Sequence, residues 1–206
     1  EGVDVSSGVA ALVHRDLRMV PEHPALPKAL AALPALLAGP VVPESEAWHE
    51  GEWFNWSDDF VAANEDAGSL DATFLWARMV VVAQGVAIAA LLYALASRFF
   101  GPDGGLVAAA AWLTTPYFVG LGHFAMLDVP FTLATLALVL VTLRWLDRPT
   151  LARTAAVGAV LGLALATRHT GLVLAVWVVL VVVVKLRSRP FEALQGLVVV
   201  GLVSVL

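Results

Sequence analysis

The chain has no cysteine in 206 residues, which excludes disulfides and thiolate metal sites. Charge is sparse: 14% of residues are Asp, Glu, Lys or Arg, and from residue 72 onward they sit almost entirely in the breaks between apolar runs. A basic nucleic-acid surface is absent. There is no glycine-rich phosphate loop, no His-Glu-x-x-His metal motif and no nucleophile elbow. Soluble folds and nucleic-acid binding are therefore poor starting points.

Apolar sequence is what the chain has in abundance. It is 60% hydrophobic with a mean hydropathy of +0.84, more apolar surface than a soluble domain uses but well suited to lipid. Charge divides the chain. Residues 1–71 hold 13 acids and 3 bases, and residues 72–206 hold 4 acids and 9 bases. The chain opens at Glu1 and closes inside the apolar run Gly196–Leu206, too short for the roughly 20 residues a span needs. We expect a fragment of a longer protein.

The expected fold class is an all-α polytopic membrane protein. Residues 1–71 form an outer-face region with interfacial helices. Residues 72–206 carry about five complete spans and the start of a sixth. Residues 1–20 read as a short helix ended by Pro21–Pro24. The run Ala25–Ala38 reads as a helix lying in the membrane interface, with Lys28 near the headgroups. Residues 43–71 read as a polar loop whose Trp48, Trp53 and Trp56 rest on the membrane surface, or as a subdomain packed on its own small core. The spans are Asp71–Ser97, Leu106–Val119 and Phe131–Leu146, with a tight turn at Gly101–Gly105. The 31 residues Thr154–Val184 would make one helix of about 46 Å, so they read as two passes meeting at Thr167–Gly171. Arg98, the Arg144–Arg153 cluster, and Lys185, Arg187 and Arg189 then share the inner side. Lipid bilayer is the first partner.

Charges left on the outer side are candidates for chemistry. They are Glu1, Asp4, Glu22, His23, Lys28, Arg78, His123, Asp128, Arg168 and His169, plus the acidic loop. Guanidinium and ammonium groups suit phosphate oxygens, and a carboxylate serves as a base or holds a divalent cation. Each also has a plainer role open to it. Asp128, beside Pro130, caps the third span. Glu22 and His23 are solvated. Lys28 snorkels. Arg78 pairs with an acid such as Asp71. Arg168 and His169 finish a helix. His123 reads as structural. Gly158, Gly162, Gly171 and Gly196 ease helix contact.

Five segments carry a family resemblance. Pro21-Glu22-His23-Pro24-Ala25-Leu26-Pro27-Lys28 resembles the Glu-His-Pro-Pro-Leu-x-Lys signature of bacterial and archaeal protein-mannosyltransferase-like glycosyltransferases. These belong to the GT-C class, glycosyltransferase family 39 and its relatives. Trp48-His-Glu-Gly-Glu-Trp-Phe54, Leu127-Asp128-Val129-Pro130 and Gly162–Gly171 resemble further pieces of the same group, and Ala77-Arg78 falls where its members carry it.

The resemblance implies a GT-C-like helical bundle that inverts the sugar's anomeric centre. It also implies a polyprenyl-phosphate sugar donor and a protein, lipid or glycan acceptor at the extracytoplasmic face. By it, Glu1 is the second member of an acidic Asp-Glu pair and Asp128 the second outer acid; both are catalytic. Lys28, Arg78, Arg168 and His169 bind the donor phosphate. Glu22 and His23 stand where lipid-A aminoarabinose transferases carry Glu-Lys, leaving a divalent cation there as an open alternative; no cofactor is otherwise implied. A secondary transporter and a catalytically inactive scaffold are the rival classes.

Overall fold

In the computed structural model the chain is described at residues 1–20, 22–121, 124–185 and 190–205, and at the side chains of all of these but 117, 121, 190–194 and 205. The readings at Pro21, His123, Arg187 and Arg189 lie outside the described residues. Within them the chain is helical and has no strand.

Two helices begin it, α1 (Gly2–Val13) and α2 (Ala25–Ala35), the second closing in a short 3-10 turn that stops at left-handed Gly39. They cross so closely that a Cβ on Gly8 would lie 2.2 Å from the Lys28 carbonyl oxygen and 2.8 Å from the Ala32 Cβ. Only a glycine fits that crossing.

The stretch read as a surface loop is instead helical. It holds α3 (Glu46–Glu50) and α4 (Trp53–Asp66). Trp56, Ser57, Phe60 and Asn64 are buried at helical spacing on α4, which gives one apolar stripe despite the surrounding acids. Trp48 and Trp56 pack with Val9, Met19, Ala32 and Phe60 in a small core. The Trp56 indole N–H donates to the Pro43 carbonyl at 2.9 Å. The expectation of indoles resting on a membrane is therefore corrected for these two: both rings are buried in this core, and the Trp56 N–H is matched inside the fold.

The next helix, α5 (Leu70–Thr114), spans 45 residues but is a hairpin. Gly101 (φ 74, ψ 177) leaves helical geometry and Pro102 restarts it, a step open to glycine because it lacks a Cβ. The arms then run back along each other. Gly105 lies against Tyr93 and Ser97, and the Trp112 indole donates to the Gly85 carbonyl at 3.0 Å. The expected second span stops early, at Thr114. Thr115 is extended because the residue before a proline, here Pro116, avoids helical geometry. Pro116 opens α6 (Pro116–Leu121).

α7 (Asp128–Asp147) follows, then α8 (Leu151–Leu165), α9 (Leu172–Lys185) and α10 (Pro190–Val205). Arg98 clamps Asp147 through two bonds of 2.8 and 2.6 Å, tying the hairpin tip to the end of α7. The expected break is present: Arg168 is extended and His169–Gly171 forms a 3-10 turn between α8 and α9. Of the four glycines expected to ease packing, Gly158 and Gly162 meet the α10 backbone and Gly171 meets Ala164, all closer than a Cβ allows freely; Gly196 has only an ordinary neighbour in Val182. α5 and α7 are long and apolar enough to cross a membrane; α8, α9 and α10 are apolar but shorter.

Gly8→Ala should destabilise the protein by about 1–3 kcal/mol through overpacking. Gly201→Ala, whose added methyl meets nothing, is the matched control. Thermal unfolding in nanodiscs compares the two.

Candidate functional site

Remote segments meet where α1, the 22–28 stretch, the start of α4, the residues before α7 and the α8–α9 turn converge. Between them lies a cavity of about 410 Å³. Its lining includes Asp4, Glu22, His23, Trp53 and Phe54 from the first 69 residues, and Asp128 and Arg168 from the rest. A second cleft of about 10 Å³, roughly the room one water needs, adjoins it and is lined by Lys28 and Gln84; Asp4, Met126 and Leu127 border both.

Three ion pairs build the site. Arg168 Nη1 donates to Asp128 Oδ1 at 2.5 Å. Asp128 is the first residue of α7, and its carboxylate turns to Arg168. Lys28 Nζ lies 3.4 Å from Asp4 Oδ1, with the lysine only 2% exposed. The expectation of Lys28 at the headgroups is corrected: α2 turns it inward, where a desolvated ammonium requires an anion. Arg78 grips Glu1 with Nε at 2.9 Å and Nη2 at 2.8 Å, and its guanidinium lies over the Phe74 and Phe124 rings. The Ala125 N–H also donates to Glu1 Oε1 at 3.0 Å.

Burial pushes the Glu1 carboxyl upward, but the Arg78 and Ala125 hydrogen bonds and the Arg78 charge outweigh it and hold the group below its ordinary value of 4.5.

The structure thus brings Glu22, His23, Asp128 and Arg168 to one cavity. It places His169 next to it, with its ring 6.3 Å from that of His23. Lys28 lies in the adjoining cleft. Glu1 and Arg78 are absent from the described lining and spend their charges on each other. Arg78 was expected to face a cavity, an acid or an anion; the acid is Glu1, not Asp71.

His23 Nδ1 and Arg168 Nε are buried without a hydrogen-bond partner, so both have capacity left for a ligand. Among the described residues no three carboxylate, imidazole or thiol groups converge as a metal cage requires. Glu22 and His23 alone offer at most two protein ligands.

Sequence reasoning put Asp4 on the outer side without giving it a role in the site, and missed Trp53 and Phe54 as lining residues. Asp4 stands one helical turn after Glu1, and that spacing was the available signal. The two aromatics were hidden by being read as a loop.

The Glu1 carboxyl is depressed in the folded protein, so its stabilisation is complete above pH 4.5 and is lost as pH falls through the lower folded value. Glu1→Gln should flatten the stability-versus-pH curve below pH 4.5, checked by thermal unfolding across pH 3–7.

No curated protein and no solved structure matches the chain. Residues 70–206 match the family described as dolichyl-phosphate-mannose-protein mannosyltransferase. The match takes in α5 to α10, with Arg78, Asp128, Arg168 and His169, and leaves the Asp4, Glu22, His23 and Lys28 stretch outside it. With the match covering well over half its length, the chain belongs to the dolichyl-phosphate-mannose-protein mannosyltransferase family.

Proposed function

We propose that this chain forms the donor site of a multi-pass membrane glycosyltransferase. It moves a sugar from a polyprenyl-phosphate carrier to an acceptor hydroxyl at the extracytoplasmic face, with inversion. The observation that carries the reading is the single cavity in which Asp128, Arg168, His23 and Asp4 meet. It joins carboxylates suited to hydroxyl groups with a guanidinium suited to phosphate, and it lies in a chain of this family.

Residues 1–71 form the outer-face part, and residues 72–206 supply about five spans and the start of a sixth. Passes as short as α8 and α9 meet at a polar break that borders a cavity, the setting in which broken helices are tolerated in membranes.

The step is a single displacement. The acceptor oxygen attacks the sugar C1 while the bond from C1 to the phosphate oxygen breaks. The hydroxyl proton passes to a carboxylate, and polyprenyl phosphate leaves. Asp128, half exposed with one oxygen held by Arg168, directs or receives that proton. Arg168 stabilises the charge growing on the phosphate, with His169 and His23 beside it. Glu1 and Arg78 brace the loop before α7 against α1 and α5, so their effect on donor binding is indirect. The prenyl tail lies along the apolar helices.

Asp128→Asn should lower turnover about a hundredfold or more without loss of expression, measured as transfer from defined polyprenyl-phosphate sugars by the intact protein in liposomes. Transfer near the wild-type rate would remove Asp128 from the mechanism; substrate flux without transfer would favour a transporter. The lack of cysteine makes topology directly measurable. Glu50→Cys should react with impermeant maleimide from outside the cell and Arg148→Cys only after the membrane is opened. Labelling of both from the same side would overturn the arrangement of spans.

A further inference from the structure

We infer that Asp4 is a specificity-determining residue of this cavity, accepting hydrogen bonds from hydroxyl groups of the transferred sugar, and that buried Lys28 is the positioning residue that holds it there. The inference rests on the reading of the cavity as a lipid-linked sugar site.

The polar lining is unevenly divided. Arg168, with its buried unpartnered Nε, and His23, with its buried unpartnered Nδ1, are donors and fit phosphate. Asp4 is an acceptor carried on α1, as Glu22 and Asp128 are elsewhere on the lining, and a carboxylate oxygen does not bind phosphate. What it attracts is a hydroxyl, through a charge-assisted hydrogen bond. Trp53 and Phe54 line the same cavity from the start of α4. Their ring faces are apolar and carry partial negative charge, a surface that suits the polarised C–H groups of a pyranose. An acid beside aromatic rings is the pattern for a sugar ring.

Lys28 makes this acid dependable. Its ammonium is 2% exposed and meets Asp4 Oδ1. Loss of the anion would leave a bare buried charge, so the pairing keeps Asp4 in place. Among the described residues no hydrogen bond or ion pair engages Oδ2, and the residue still borders the larger cavity. One oxygen is anchored and the other is available. A site with a desolvated acceptor discriminates strongly against ligands lacking the matching hydroxyl, because the acceptor is then left unpaired.

The test is binding to the full-length protein in nanodiscs, comparing polyprenyl-phosphate hexose with bare polyprenyl phosphate. The wild-type protein should bind the sugar-bearing carrier more tightly. Asp4→Asn should lose about ten- to hundredfold of that advantage while bare-carrier affinity changes less than twofold. Because the single variant strands Lys28, Asp4→Asn/Lys28→Met removes both charges at similar volume. It should unfold at the wild-type temperature and still lack the advantage. Recovery of the advantage in the double variant would reduce Asp4 to a structural counter-ion and overturn the inference. So would an equal loss of bare-carrier binding, or a wild-type protein indifferent to the sugar. A wild-type protein that prefers the sugar-bearing carrier yet transfers nothing would sink the transfer reading and leave this one standing.

Discussion

An ammonium group taken out of water must keep an anion beside it, and much of the N-terminal architecture follows from meeting that demand at Lys28. The lysine is carried inward because α2 lies against α1 at Gly8, where a side chain of any size would strike the Lys28 carbonyl. The same crossing puts Asp4, one turn earlier on α1, within reach of the buried Nζ. Helix packing and charge placement are one event here. A change that moves α1 from α2 also unseats the acid at the edge of the cavity.

Long-range ion pairs set register elsewhere. Glu1 with Arg78, Asp128 with Arg168 and Arg98 with Asp147 join positions 77, 40 and 49 residues apart. Apolar helices such as α7, α9 and α10 present similar surfaces on several faces and slide or rotate past one another at little cost. Paired charges do not. Glu1 is the most shielded of the three carboxylates, so parting it from Arg78 is penalised; the Arg98–Asp147 and Arg168–Asp128 pairs are more exposed and fix alignment by geometry more than by energy. The Glu1–Arg78 pair and the Ala125 N–H also fasten the loop ahead of α7 to α1, which brings Asp128 to the cavity.

Apolar runs separated by Gly, Pro and charge made α5 and α7 to α10 legible in the sequence. The turn at Gly101, the break at 167–171 and the small-residue contacts of Gly158 and Gly162 lie where the pattern puts them. Pro116 was the local exception, since hydropathy runs straight through it while backbone geometry does not. The acidic segment was the harder one. Trp56, Phe60 and Asn64 recur at helical spacing on α4, but the eight acids of positions 44–66 mask an amphipathic helix when average polarity is read in place of its period. At the site, the type of residue was readable and its partner was not. Arg78 was recognisable as a charge needing company in an apolar helix, yet Glu1 lies 77 positions away. Asp4 was readable as an outer-side charge, but only its spacing of one helical turn from Glu1 pointed to the site.

The lining of the cavity comes from two separable stretches, residues 3–54 and residues 126–168. In the proposed reading the groups that would meet the sugar ring, Asp4, Trp53 and Phe54, all come from the first stretch, and Arg168, which would meet the phosphate, from the second. On that proposal, exchanging the amino-terminal stretch between relatives would alter selectivity while keeping the helices that carry Arg168, provided the Arg78 socket and the glycine crossing travel with matching partners.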